Sequence, residues 1–163
     1  MAWSNSRIFA QTILDILDGT TAMDLDSAGA GDYLAALYGD TITPDNTVAA
    51  TATAYNNAAG VWDTDEKSDT TEWDAGGEPI VAPNLTKASA VLTWDDDGTN
   101  VVSGGSSATL AAVFGCLCYS GVIATPVVDQ GVCYNYFGGT QSVTNGTFTI
   151  QWAATGIFTL TLT

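Results

Sequence analysis

The chain lacks histidine altogether, and only three of its 163 residues are basic, namely Arg7, Lys67 and Lys87. The absence of histidine excludes Ser-His-Asp and Cys-His catalysis, histidine metal ligands and the usual neutral-pH base. Eighteen acidic residues bring the formal net charge to −15. Because a field of that sign repels phosphate backbones, we exclude nucleic acid as a direct partner.

Long apolar runs are also missing. No run approaches the roughly 20 residues that a membrane-spanning helix requires, and the N-terminus does not combine a charged segment with an apolar core as secretory signals do. We therefore expect a soluble protein that has no membrane partner and is made without secretion. Since 46% of the residues are hydrophobic, the chain should bury a sizeable core within one domain, residues 1–163.

The cysteines do not indicate a disulfide framework. Cys116 and Cys118 point the same way from one predicted strand, and with Cys133 the number is odd, which leaves one thiol over. We expect all three to be reduced and mostly buried.

The acidic residues show no recognisable catalytic or metal-binding pattern. Paired carboxylates can hydrolyse glycosides, but here the acids cluster in predicted turns and loops. Asp95, Asp96 and Asp97 precede Gly98 without the alternate spacing and distal glutamate of a calcium loop, so a turn is the favoured interpretation. The sequence therefore predicts no enzymatic activity, no metal site and no cofactor.

The last third of the chain is dominated by strand patterns. Residues 147–152 and 157–163 alternate apolar with polar side chains, and we predict that they form an antiparallel hairpin. Residues 113–119 and 132–137 predict two further strands, and Asn145-Gly146 suits a tight turn. The predicted core residues are these: Phe148, Ile150, Trp152, Phe158, Leu160 and Leu162. This pattern is typical of an antiparallel β-sandwich.

One helix is predicted, over residues 1–19. Ser4 could cap it, Trp3 and Ile8 could close a hydrophobic staple, and Gly19 ends it. One side carries the apolar residues Phe9, Ile13, Ile16 and Leu17, whereas the other carries Arg7, Gln11, Asp15 and Asp18. Two carboxylates in the last turn oppose the helix dipole, so either they are solvated and tolerated or they face a basic partner.

Residues 33–163 are predicted to form the β-rich body. Residues 33–38 and 88–94 predict strands, and residues 43–46 predict a turn. Residues 47–60 fit either a short helix or an extended arm. Residues 63–78 carry seven acids and predict a solvated loop, which Trp62 and Trp73 should pin either to the core or to a neighbouring subunit.

A series of short motifs occurs in a specific order along the chain. They are WSNSRIF at 3–9, ALY at 36–38, TPD at 43–45, AGG at 75–77, VLTWD at 91–95, FGCLCY at 114–119, YFGG at 136–139 and GTFTIQW at 146–152. In this order the chain resembles a family of small structural proteins of tailed bacteriophages, particularly those of actinobacteria. The resemblance implies a β-rich virion component, most plausibly a capsid decoration or cement protein made in the host cytoplasm and located on the capsid surface.

Three functions fit this sequence. The first is a decoration protein, assembled as a homotrimer, that binds the major capsid protein on the outer face of the head and stabilises the shell. The second is a tail-tube or other tail component, and the third is a glycan-binding module of a head or tail fibre. For the first, we expect the shell contact at Trp3, Ile8, Phe9, Asp15 and Asp18. Trp62 and Trp73 are the candidates for contact between subunits.

Overall fold

The computed structural model describes residues 3–27, 29 and 31–162. It is mainly β, with antiparallel pairing throughout, which confirms the predicted fold class. The described elements are, in order, β1 Arg7–Ile8, α1 Ala10–Leu17, β2 Tyr33–Tyr38, α2 Ala50–Thr53, β3 Glu66–Lys67, β4 Glu78–Pro79, β5 Asn84–Ala88, β6 Val91–Asp95, β7 Val101–Val102, β8 Ala108–Ser120, β9 Gly131–Gly146, β10 Thr149–Ile150 and β11 Phe158–Thr161. Neither of the described helices has the length and apolar character needed to cross a membrane.

A six-stranded sheet, here called the central sheet, organises the molecule. Its order is β1-β9-β8-β2-β3, and β4 pairs beside β3 on the same edge of β2. Strands β5, β6 and β11 form a second sheet of order β11-β6-β5, and β7 pairs with β10. The long strands β8 and β9 are neighbours, so the middle of the central sheet is formed by residues distant from the N-terminus.

Both faces of the central sheet are buried. On one face, Tyr33, Leu37 and Cys118 share a core cluster with Trp94 of β6 and Ile150 of β10. The opposite face carries a second cluster, which contains these residues: Trp3, Phe9, Ala36, Tyr38, Trp62, Leu117 and Tyr134. Because successive residues of a strand point to opposite faces, burial of both faces explains why β2 is continuously apolar.

The N-terminal helix is shorter than predicted. Residues Arg7 and Ile8 pair with Tyr134 and Cys133 of β9, so the chain is extended where a helix was expected, and α1 begins only at Ala10. Ser4 therefore does not cap the helix. Trp3 makes no staple with Ile8, because its ring packs 6.0 Å from that of Trp62 and its indole N–H donates to the Gly39 carbonyl at 2.7 Å. Pairing with a strand more than a hundred residues away overrides the local helix signals.

The predicted C-terminal hairpin is wrong. Strand β10 pairs with β7, and β11 pairs with β6. Of the predicted core residues, Phe148 and Ile150 are buried, Trp152, Phe158 and Leu160 are partly buried, and Leu162 is exposed. Thr163, at the end of the predicted strand, lies outside the described residues. Alternation shows which side chains face inward, but it does not specify the pairing partner.

Two further strand predictions are corrected. Residues 88–94 do not form one strand, because the chain turns at Ser89, whose φ is 53°, and Ala88 pairs back onto Val91. Asn145 and Gly146 end β9 opposite Ala108 instead of connecting two neighbouring strands. The strand over β2 is confirmed, and residues 47–60, which had been left open, contain the short helix α2.

We predict that Trp94→Ala destabilises the protein by about 3–5 kcal/mol, as expected for loss of a fully buried tryptophan. Trp94 packs 5.2 Å from Tyr33 and 5.4 Å from Phe158, and its indole N–H donates to the Leu25 carbonyl at 2.9 Å. Trp152→Ala should cost less, because Trp152 is only partly buried. Denaturant unfolding of the two variants measures both losses. An equal or larger loss for Trp152→Ala would contradict this prediction.

Candidate functional site

Helix α1 turns its polar side inward. Thr12 is fully buried and Asp15 is only 3% exposed, whereas Leu14 is 53% and Leu17 is 80% exposed. At 3.6 residues per turn, Thr12 and Asp15 lie on the side of the helix opposite Leu14 and Leu17. Asp15, predicted to be solvated or to face a basic partner, is therefore buried, and Leu17 of the predicted apolar side is exposed. Ile16 of that side does pack, partly buried, against the core.

Buried hydrogen bonds hold the helix in this orientation. The Thr12 hydroxyl donates to the Gly131 carbonyl at 2.6 Å. The Asp15 carboxylate accepts hydrogen bonds of 2.7 Å from the side-chain amides of Gln130, which is fully buried, and Gln11. Rotating the helix to bury the leucines would break these bonds. The free energy of folding would then become less favourable, because the buried polar groups would lose their partners. The leucines therefore remain at the surface.

The loop that bonds the inward side of α1 has exposed apolar residues of its own. Gln130, which bonds Asp15, is the last residue before β9, and the same loop exposes Val122 and Val128. We call Leu14 and Leu17 the helix patch. Asp18 lies exposed directly after it, and its pKa is lowered by hydrogen bonds from the Thr20 hydroxyl and backbone amide. The helix patch thus has apolar anchors beside a charged carboxylate.

The residues predicted to contact a shell lie mostly inside the molecule. Trp3 and Phe9 are buried against the central sheet, with Phe9 packing 5.5 Å from Tyr134. Asp15 is buried, Ile8 is partly buried within β1, and Asp18 is exposed. Of the five predicted contacts, Asp18 is exposed, Ile8 is partly exposed and the other three are buried. The sequence did not predict that Leu14 and Leu17 are exposed. Their exposure depends on the hydrogen bond between Asp15 and Gln130, which no pattern of neighbouring residues indicates.

Both candidates for contact between subunits are buried in their own chain. Trp62 lies 5.0 Å from Tyr38, whose hydroxyl donates to the Trp62 carbonyl at 2.8 Å. Trp73 lies 5.5 Å from Phe148 and is fully buried. The two tryptophans therefore pin the acidic segment to the core, which was the other predicted alternative. They offer no free ring for stacking on a glycan.

The acidic segment, residues 63–78, is not a solvated loop. It contains β3, and its carboxylates accept hydrogen bonds both from within the segment and from the rest of the protein. Glu66 accepts from the Gly76 backbone amide at 2.6 Å and from the Tyr55 hydroxyl at 2.9 Å. The backbone amide of Thr109 lowers the pKa of Asp69 by donating to its carboxylate at 2.7 Å. These acids therefore act as structural acceptors.

A glycine sets the close approach of this segment to β2. Gly77 has φ 90°, and a Cβ there would meet the backbone of Ala35 and Ala36. Only glycine allows both the positive φ and the close approach of the two backbone segments. The segment can then pair with β2 through β4, and Pro79 of β4 lies at the edge of the sheet, where a residue without an amide hydrogen is tolerated.

The predicted turn at Asp95, Asp96 and Asp97 is confirmed. Asp97 and Gly98 have φ of 52° and 80°, and the Thr99 amide donates to the Asp96 carbonyl. Burial, with Asp95 nearby, raises the pKa of Asp96 to about 6. Within the described part of the chain, no group of three or more cysteine, aspartate or glutamate side chains is arranged to hold a metal ion.

The three thiols are buried, as predicted. Cys118 and Cys133 are directly opposed in β8 and β9, and the Asn135 side-chain amide lies 3.7 Å and 3.6 Å from their sulfurs. Burial raises the pKa of Cys116 and Cys133, so these thiols stay protonated. Their surroundings are those of structural rather than reactive cysteines.

We predict that Asp15→Ala lowers stability by about 1–3 kcal/mol, because Gln130 would be left buried without its acceptor. Asp18→Ala is the matched control on the same helix, since its carboxylate is exposed. It should leave the midpoint of unfolding close to that of the unmodified protein. Urea unfolding compares the two variants, and equal effects would contradict the inward orientation of Asp15.

A second prediction concerns pH. The pKa of Asp96 rises from 3.8 to about 6 on folding, so the folded protein binds this proton more tightly than the unfolded chain. The contribution of Asp96 to stability is therefore lost as the pH rises from about 4 to about 6. Asp96→Asn should raise the melting temperature at pH 7 but have little effect at pH 3.5. A gain of the same size at both pH values would show that the carboxylate charge is not responsible.

Comparisons of the chain with protein-family models, with curated proteins and with solved structures found no match to any of them.

Proposed function

We propose that this chain is a virion structural protein of a tailed bacteriophage, and that it decorates the outer face of the capsid by binding the major capsid protein through helix α1. The observation that carries the proposal is the helix patch. Leu14 and Leu17 are exposed on a helix whose other side is anchored by buried hydrogen bonds. An apolar pair on a rigid element binds without the entropic cost of ordering a mobile segment.

The charge of the chain is compatible with this partner. With a net charge of −15, the protein is attracted to basic surfaces and repels copies of itself. Asp18 beside the helix patch can pair with lysine or arginine of the shell, which would favour docking in one orientation. The same charge keeps the protein away from packaged DNA.

Contacts between copies require a surface with little charge. After Asp97, Asp129 is the only charged residue of the chain, so strands β8 to β11 are almost free of charge. This part of the surface is the one that a second and third copy could approach without repulsion, and it supports the proposed homotrimer. The order of the motifs resembles that of phage structural proteins, and this resemblance supports the proposed location on a virion.

The core of the protein suits a role as cement. The central sheet is covered on both faces by packed side chains. Helix α1 is bonded to this sheet, so the sheet gives it a rigid support. Truncating residues 1–19 would remove Trp3, Phe9, Thr12 and Asp15 from that core. Loss of decoration by such a truncation would therefore report unfolding, and point substitutions at the surface are needed.

We predict that the double variant Leu14→Ser/Leu17→Ser folds normally but binds purified capsids at least about 30-fold more weakly, the loss of a hot spot worth about 2 kcal/mol. Val81→Ser/Val102→Ser is the matched control, because both valines are exposed elsewhere on the surface. Cosedimentation with capsids that lack the protein measures binding, and urea unfolding checks the fold.

Unchanged capsid binding by the leucine variant would overturn the role of the helix patch. Location of the chain in an electron-microscopy map of the virion tests the wider proposal. Density along the wall or lumen of the tail, instead of on the shell, would favour a tail component.

A further inference from the structure

A groove of about 670 Å³ lies between β9 and the chain that carries β10 and β11. One wall is formed by residues 135–137 with Gln141, and the other by residues 148–153 and 155–159. Its volume falls within the usual range for small-molecule sites. A second cavity of about 290 Å³ shares Ser6, Asn135 and Phe158 with it and continues towards Arg7. The two cavities therefore adjoin each other at these shared residues.

The lining of the groove is neutral. None of the described residues that line the larger cavity is charged, although the chain carries a net charge of −15. Phe137, Trp152 and Phe158 are partly exposed aromatic rings, and Gln141 and Gln151 present exposed side-chain amides. Aromatic faces beside amide and hydroxyl groups suit a ligand that is apolar on its ring faces and rich in hydroxyls at its edges.

Trp152 offers its ring to the groove. The ring lines the cavity and is partly exposed, whereas the indole N–H is buried and, like that of Trp73, has no hydrogen-bond partner among the described residues. The ring face, rather than the N–H, is therefore the part of Trp152 that a ligand in the groove would contact.

The shape of β9 argues against a peptide strand or a second copy of the chain as the occupant. Strand addition needs a regular extended edge. Between the groove residues Phe137 and Gln141, Gly138 and Gly139 have φ of 78° and 155°, and the register of β9 with β8 shifts between Val113 and Gly115. Such irregularities are typical of strands that avoid pairing with other chains.

We propose that this groove binds a neutral oligosaccharide, whose sugar faces stack on Trp152 and Phe158 and whose hydroxyls bond the amides of Gln141 and Gln151. The site is separate from the helix patch, and the inference does not depend on the proposed function. It assigns ligand binding to residues other than Trp62 and Trp73. A decoration protein with such a site would also attach the particle to glycans.

Titration of the folded full-length protein tests this inference. The probes are neutral hexasaccharides of glucose, galactose, mannose and N-acetylglucosamine, with a hexauronic acid and a proline-rich decapeptide for comparison. Tryptophan emission and calorimetry measure binding. We expect at least one neutral hexasaccharide to bind and to change the emission, and the hexauronic acid and peptide to bind at least tenfold more weakly or not at all.

Three variants assign the site. Gln141→Ala and Gln151→Ala change exposed residues and should each reduce affinity about tenfold, and Trp152→Phe should remove most of the emission change. Thr144→Ala is the control, because Thr144 is exposed on β9 but does not line the groove. Capsid binding should be unchanged in all four variants, so failure here is distinguishable from failure of the decoration proposal. Absence of binding to every neutral probe, binding that the groove variants leave unchanged, or preference for the peptide or the uronic acid would overturn the inference.

Discussion

Burial of the central sheet on both faces is the constraint on which the rest of the structure depends. A sheet of this kind needs a cover on each side, and the chain supplies two different ones. The smaller sheets cover one face with Trp94 and Ile150, and the N-terminal segment covers the other with Trp3 and Phe9. Each tryptophan is tied to a backbone carbonyl, Trp3 to Gly39 and Trp94 to Leu25. The N-terminus is therefore part of the core.

This arrangement determines what the surface can do. Because β1 brings the chain to the edge of β9, α1 begins beside Gly131 and satisfies its polar side there. The leucines that remain exposed form the helix patch, which is the basis of the proposed capsid contact. Polar groups that are fully bonded inside a core specify one orientation more strictly than apolar groups do, because they have few alternative partners.

The distribution of charge separates two kinds of surface. Charged side chains are concentrated before Gly98, where many of the carboxylates accept hydrogen bonds that hold loops to the body, as Glu66 and Asp69 do. After Asp97 the surface is nearly neutral and includes the groove. The proposed capsid contact at the helix patch is therefore separate from the nearly neutral surface, to which both the proposed contact between copies and the proposed ligand are assigned.

The sequence by itself determined the mainly β class, the burial of Phe148 and Ile150, the strand at residues 33–38, the turn at Asp95 to Gly98 and the burial of the cysteines. These features follow from alternation, composition and turn chemistry, which are properties of neighbouring residues. For the candidate site, the sequence predicted that the N-terminal helix takes part, and of the residues it named only Asp18 is exposed. Which strands pair, where α1 begins and which side of it faces inward were decided by the tertiary structure. The physical reason is that these features depend on contacts such as Asp15 with Gln130, whose partners lie 115 residues apart.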